Sequence, residues 1–288
     1  MITTDKVIIC VAPLGSFIGK DMNPNIPIQP EEIAEEVYRA WNEGASIVHI
    51  HARDKNGIAT TDPEVFKEIA RRIREKGCDI IIQHSTSHGR EPGAHVKDGV
   101  KSLDAQPEMA SVDIGIQVVM RGGQEKINMW TRSFVEGLLK TTIEKGIKPE
   151  LEVFTPGGIE EINAHIENGL LKKPYWIDFV LDMQKTLQNT IRYTPKNLMH
   201  YVDLLPPDSM FTTAAIAGAE LPAAIQSILL GGHARVGFED NLMYRKGVLA
   251  ESNAQLVTRV VSMARELGRN PASPNEARDL LGIPKLQK

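Results

Sequence analysis

Cysteine is scarce in this chain: only Cys10 and Cys78 among 288 residues. That excludes a disulfide framework and points to buried, reduced thiols in the cytoplasm. Long apolar runs are also missing. The N-terminal MITTDKVIICVAP holds about seven consecutive apolar residues, far short of the roughly 20 that a membrane span needs. It has neither the basic lead nor the small-residue cleavage pattern of an export signal. Charge of one sign is lacking as well. A net charge of −4 with mixed signs argues against nucleic acid as the main partner, because phosphate binding needs a basic surface. A small anion would need only a local basic patch. Finally, no glycine-rich phosphate loop follows the first strand, since APLGSFIGK fits neither a dinucleotide fingerprint nor a P-loop.

What is present is a core and a rhythm. Hydrophobic residues make up 42% and charged residues 24%, a globular balance. Short β-branched runs alternate with longer amphipathic ones along the whole chain. Strands are expected at KVIICVAP, SIVHIHA, DIIIQHS, MASVDIG, PELEVFT, YWIDFVLD, SMFTTAAIAG and ARVGFE. Helix starts are marked by Pro30 with acids behind it, by Asp62-Pro63 and by Ser273-Pro274; stops fall at Gly44 and Gly77. Further helices are expected near 95–103, 132–145, 159–168, 196–205 and 221–230, and over ESNAQLVTRVVSMARELG. Continuously apolar strands suit a parallel sheet covered on both faces. Eight such units in this length predict a (β/α)₈ TIM barrel spanning residues 1–288, with a short C-terminal helical extension.

In such a barrel the active site forms at the C-terminal ends of the strands. The polar residues expected there are His49 and His51, His84 to Thr86, Ser111 and Asp113, Glu150 and Glu152, Asp182, and Arg235, Glu239 and Asp240. His49 and His51 are two apart, so both point to one face, about 6.6 Å apart along the strand. Two imidazoles at that spacing converge easily on a cation. A zinc site would need a third protein ligand and an open position. Glu239 is the best candidate, because strand eight closes against strand one beside strand two. The alternative is a pair of pocket histidines without metal. Glu150 and Glu152 also share a face and need a cation, for which Arg235 is the obvious choice. His84 is expected to be structural or to support a ligand. No role is assigned to His88, His95, His165 or His200. Lys20, Arg90 and Lys97, near the strand ends, are read as solvated surface.

The segments PIQPEEIAEE, HIHARD, PEMASVDIG, KPELEVF, GGHARVGFEDN and SPNEARDLLG resemble the β-keto acid cleavage enzymes over essentially the whole chain. The resemblance implies a zinc-dependent barrel, assembled as a homotetramer, that exchanges acyl groups between a β-keto acid and acetyl-CoA. Zinc would sit on His49, His51 and Glu239. Arg235 and Asp240 fall on catalytic positions, as does Glu152 or Glu150, with Glu152 favoured because it lies nearer the strand's end. Ser85 falls on a substrate-contacting serine. Two departures bear on the substrate. Phe17 stands where family members that cleave amino-substituted substrates carry glutamate, and Asp113 stands where such members often have threonine. Either Phe17 and Asp113 recognise a cationic side group by cation–π contact and charge, or Phe17 simply makes the pocket apolar and Asp113 is a buried hydrogen-bonding residue. The loop STSHGREPG is also less glycine-rich than the family's. The alternatives are a metal-dependent aldolase, lyase or hydrolase acting without CoA.

Overall fold

The computed structural model describes residues 1–87, 95–121 and 124–286. Eight parallel strands form one curved sheet: β1 (Ile9–Val11), β2 (Ile47–Ile50), β3 (Ile81–His84), β4 (Met109–Arg121), β5 (Lys148–Val153), β6 (Tyr175–Leu181), β7 (Ser209–Ala215) and β8 (Ala234–Val236). Each pairs with its sequence neighbour, except that β8 pairs with β1 rather than β7. The remaining seam is bridged where His233 N donates to Phe211 O at 2.8 Å. The result is a nearly closed barrel, as the alternating runs predict.

The helices begin where capping chemistry places them. Pro30 opens α1 (Pro30–Asn42), and Glu32 accepts from the Ile28 and Gln29 amides at 2.8 and 3.0 Å. Asp62 accepts from Glu64 N to open α2 (Pro63–Glu75). Next come α3 (Arg132–Lys145), α4 (Pro156–Glu167), α5 (Pro195–Asp203), α6 (Glu220–Leu229) and α7 (Asn253–Glu266). Ser273 and Glu276 form a capping box at the head of α8 (Pro274–Leu281). Among the described residues, no helix is long and apolar enough to cross a membrane.

The two-residue period of the strands sorts side chains between barrel interior and helical layer. Val48 and Ile50 face outward, packing with Ile33, Val37, Phe66 and Ile69 of α1 and α2. On the other side of the molecule Leu151 and Val153 pack with Val135, Leu139 and Ile162. The barrel floor is apolar: Ile8, Ile47, Ile81, Met109, Trp176 and Met210 meet Ala277 and Leu281 of α8. Thus α8 plugs the N-terminal end. Its fully buried Arg278 holds Glu108 at 2.6 and 3.1 Å and donates to Asp79 O.

Three expectations are corrected. The segment near 95–103 is a 3₁₀ helix, Val96–Ala105. The fourth strand does not stop at Gly115. It continues to Arg121 and pairs antiparallel with Gln124–Trp130, as a ribbon beyond the barrel. A second ribbon, Met243–Arg245 with Val248–Leu249, follows β8 where no strand was expected.

Candidate active site

The apolar floor gives way to a polar layer near the C-terminal ends of the strands. His49 and His51 share a face, with ring centroids 5.2 Å apart. The turn after β8 brings Glu239 to them. Its Oε1 lies 3.1 Å from His51 Nε2, and its Oε2 lies 3.8 Å from His49 Nε2. One ligand atom from each of the three residues falls within 4.8 Å of the other two. Ser16 Oγ sits 3.0 Å from His51 Nδ1, which fixes the ring with Nε2 toward Glu239. Glu239 Oε2 is buried without a hydrogen-bond partner among the described residues. Two imidazoles and a carboxylate, one oxygen of it orphaned, fit a divalent cation of the zinc type.

Arg235 is the hub of this layer. Its Nε donates to Asp240 Oδ2 at 2.9 Å and its second terminal nitrogen to Asp240 Oδ1 at 3.2 Å, a bidentate grip. It also reaches Glu239 at 3.2 Å, Glu152 at 3.5 Å and Asp178 at 3.6 Å. The register puts Asp113 opposite Glu152, and Glu152 opposite Asp178. Asp113 accepts a hydrogen bond from Gln117 at 3.0 Å and shares one with Glu152. Glu150 sits one layer deeper. Gln83 donates to one of its oxygens at 2.5 Å and Trp176 to the other at 2.7 Å.

Four carboxyl groups therefore surround one guanidinium, and Asp113 and Glu150 lie next to them on β4 and β5. Burial pushes the carboxyls of Asp113, Glu150, Glu152, Asp178 and Asp240 upward. For Glu152 the neighbouring Asp113 adds to the rise, and for Asp178 Glu150 does. Glu239 behaves oppositely. Burial works to raise it, but His51, Arg235 and His49 outweigh burial and hold it below the usual carboxylate range. Burial depresses His49, leaving the imidazole neutral as a ligand must be. Arg235 stays charged, because its carboxylates overcome the cost of burial. A divalent cation at the histidines would supply positive charge that this cluster lacks.

Other anticipated residues fall around this centre. Ser85 is buried just past β3, and its Oγ accepts from Ser87 N at 3.1 Å. Residues 88–94, which include His88, Arg90 and most of the STSHGREPG loop, lie outside the described residues. Phe17 is 49% exposed, next to Ser16, while Asp113 is 8% exposed. Asp182 is a loop brace: it accepts from Tyr193 N at 2.8 Å and from Gln184 at 3.2 Å. His84 donates from Nδ1 to Ser102 O at 3.0 Å and packs on Phe66, a structural role. Lys20 pairs with Glu32.

Sequence reading missed Asp178, Gln83, Ser16 and Glu220. Asp178 sits two residues after the inward Trp176, and strand period alone would have pointed to it. Glu220 accepts from Gly237 N at 2.9 Å and Asn241 Nδ2 at 3.0 Å, bracing the turn that carries Glu239 and Asp240. That link spans two distant segments and leaves no local mark.

A parallel barrel whose strand ends converge on a cation-ready triad and an arginine-gripped carboxylate defines a barrel enzyme with a candidate metal centre. Residues 6–283 match the model of the beta-keto acid cleavage enzyme family, and the chain belongs to that family. It is 38% identical over 281 residues to the 3-keto-5-aminohexanoate cleavage enzyme of Fusobacterium nucleatum subsp. nucleatum, covering 98% of this chain and 99% of that one. To the 3-oxoadipate:acetyl-CoA acetyltransferase of Cupriavidus necator it is 33% identical over 290 residues, covering 99% and 97%. The solved structure of ObcA with oxaloacetate shares the fold, with a TM-score of 0.73 at 21% identity over 90% of this chain and 68% of that one.

Proposed function

We propose that the chain is a zinc-dependent enzyme that turns a β-keto acid and acetyl-CoA into acetoacetate and a new acyl-CoA. About one zinc per chain is held by His49, His51 and Glu239, and when bound it supplies Lewis-acid polarisation of the keto group. The observation that carries this reading is the Arg235–Asp240 grip beside that triad, at 2.9 and 3.2 Å. It supports this reading by setting a candidate carboxylate base beside the triad.

In this reading Asp240 takes a proton from the carbon between carboxylate and ketone. That carbon attacks the acetyl thioester and expels the CoA thiolate. The thiolate then attacks the original ketone carbon. The bond between that carbon and the newly acetylated one breaks, giving the new thioester. Asp240 returns its proton to the departing acetoacetate. Arg235 stands beside the developing oxyanions, and Ser85 offers a hydroxyl. Glu152 is the third catalytic group, set between Asp113 and Arg235. Glu150 has both oxygens committed to Gln83 and Trp176, which favours Glu152 for this role. Asp113 and Phe17 receive the side group. The two relatives, one a cleavage enzyme and one an acetyl-CoA acetyltransferase, support the acyl exchange.

Cytoplasmic location is supported by the two buried, unpaired thiols. Assembly as a homotetramer is supported by the outer ribbon, where Ile116, Ile127 and Met129 are 67%, 61% and 53% exposed on one face. Light scattering tests the assembly, which a monomer would exclude.

The chemical test is a panel of β-keto acids with ¹³C-labelled acetyl-CoA. Label is expected in acetoacetate, and Asp240→Asn is expected to lower kcat by about 10²–10⁴-fold with zinc content unchanged. Cleavage that proceeds equally without acetyl-CoA would instead indicate a lyase or hydrolase.

A further inference from the structure

Arg53 takes no part in the chemistry above, yet its side chain is buried, with 7% of the residue exposed. Its guanidinium is committed to backbone carbonyls. One terminal nitrogen donates to Gly15 O and to Ile18 O, the latter at 2.9 Å; the other donates to Gly57 O at 3.2 Å. Arg53 thus ties the turn after β1 to the segment after β2. Its own base is braced. Ala52–Arg53 pairs antiparallel with Ala59–Thr60, and Asp54 Oδ1 accepts from Asn56 N at 2.8 Å and Ile58 N at 2.9 Å.

The tied turn touches two of the three candidate ligands. Ser16 Oγ lies 3.0 Å from His51 Nδ1. A Cβ at Gly15 would lie 2.7 Å from Glu239 Cγ, so the turn lies directly against that side chain. His51 can offer a lone pair at Nε2 only if its proton is on Nδ1, donated to Ser16 Oγ. A loose turn would free the ring to rotate or to take the other tautomer.

We infer that Arg53 is a positioning residue for the metal centre: it holds the Gly15–Ile18 turn so that Ser16 fixes His51 with Nε2 directed at the cation. This rests on the reading of His49, His51 and Glu239 as a metal site.

The test titrates metal-stripped full-length protein with zinc against a chromophoric chelator, with thermal melts alongside. Ser16→Ala and Arg53→Lys are each expected to lower zinc affinity about 10–100-fold, the usual cost of losing a ligand's supporting partner. Ser16→Thr retains the hydroxyl and should stay near wild type. The double variant should bind no worse than the weaker single one, because both changes break the same link. Wild-type affinity in Ser16→Ala, or in a folded Arg53→Lys, would overturn the inference. So would effects that multiply in the double variant. Should Arg53→Lys not fold, Arg53→Gln, which keeps two donors without the charge, replaces it under the same criteria. Wild-type protein that binds no zinc would sink the site reading itself, a different result from equal binding by wild type and variants.

Discussion

Asp113 and Glu152 show how much one hydrogen bond decides at this site. Directly opposed on β4 and β5, two ionised carboxylates would repel in a poorly solvated layer. The two carboxyls instead share a hydrogen bond, which needs a proton on one of them, and burial raises both, so the pair carries at most one negative charge. In the proposed reading that charge meets a cationic side group, and Phe17, exposed in the loop after β1, offers an aromatic face. Asp113→Asn keeps the shape and removes the charge. For a β-keto acid with an ammonium or trimethylammonium group, KM should rise about tenfold or more, the scale of one lost charge-assisted contact. KM for an uncharged analogue should hardly move. Equal KM values for both enzymes on the cationic substrate would remove the idea. The charge of Asp113 could be read from its residue type, but its proton-sharing partner could not, because the strand register sets that pairing.

At the scale of elements, the turn after β8 carries the most consequence per residue. Gly237 has φ +148°, and a Cβ there would lie 2.2 Å from Ala12 O, a backbone atom just past β1. The same turn is anchored where Glu239 N donates to Ala12 O and Asp240 N to Gly237 O. Gly237→Ala should therefore cost on the order of 1–3 kcal/mol of stability. It should also swing Glu239 and Asp240 together, lowering zinc content and activity in parallel. Wild-type melting and zinc content in this variant would show that the turn relaxes freely. The GFEDN motif was legible in the sequence, but the close approach that requires its glycine was not. Legibility elsewhere followed the locality of the cause. Pro30, Asp62-Pro63 and Ser273-Pro274 mark their helix starts because a cap acts within one turn. The β4 ribbon went unread because Gly115, with φ +102°, looks like a strand end, although the apolar alternation of Ile116, Val118 and Met120 runs on past it.

At the scale of the molecule, the barrel was legible because its evidence is spread over eight similar units, and no single boundary had to be right. The mouth was legible in part. Residues that act at the ends of strands stood out as polar letters after apolar runs. Those that act from inside a strand, such as Asp178, or across the chain, such as Glu220 on Gly237, depend on closure of the barrel and appear only with it.

Closure also buries titratable groups of opposite response, which gives stability two opposed pH dependences. Burial depresses His233 from its ordinary 6.5 to about 3. Its Nδ1 accepts from Ile8 N at 3.0 Å, and an imidazolium would meet that donor with another. The unfolded chain takes up this proton below pH 6.5 while the folded chain does not. Stability from His233 is thus complete above 6.5 and is lost as pH falls toward 3. Burial raises Glu220 from 4.5 to about 8. Here the folded chain holds a proton that the unfolded chain releases, so this contribution is complete below 4.5 and is lost as pH rises through 8. Each group can change stability by at most about 1.4 kcal/mol per pH unit. The net curve mixes these with the other buried carboxyls, so the measurement must be differential. Urea unfolding of wild type, His233→Asn and Glu220→Gln is to be compared from pH 5 to 8. The advantage of wild type over His233→Asn should shrink as pH falls from 6.5 to 5. Its advantage over Glu220→Gln should shrink as pH rises from 5 to 8. Parallel stability curves for wild type and either variant would mean that the group keeps its ordinary titration in the folded chain.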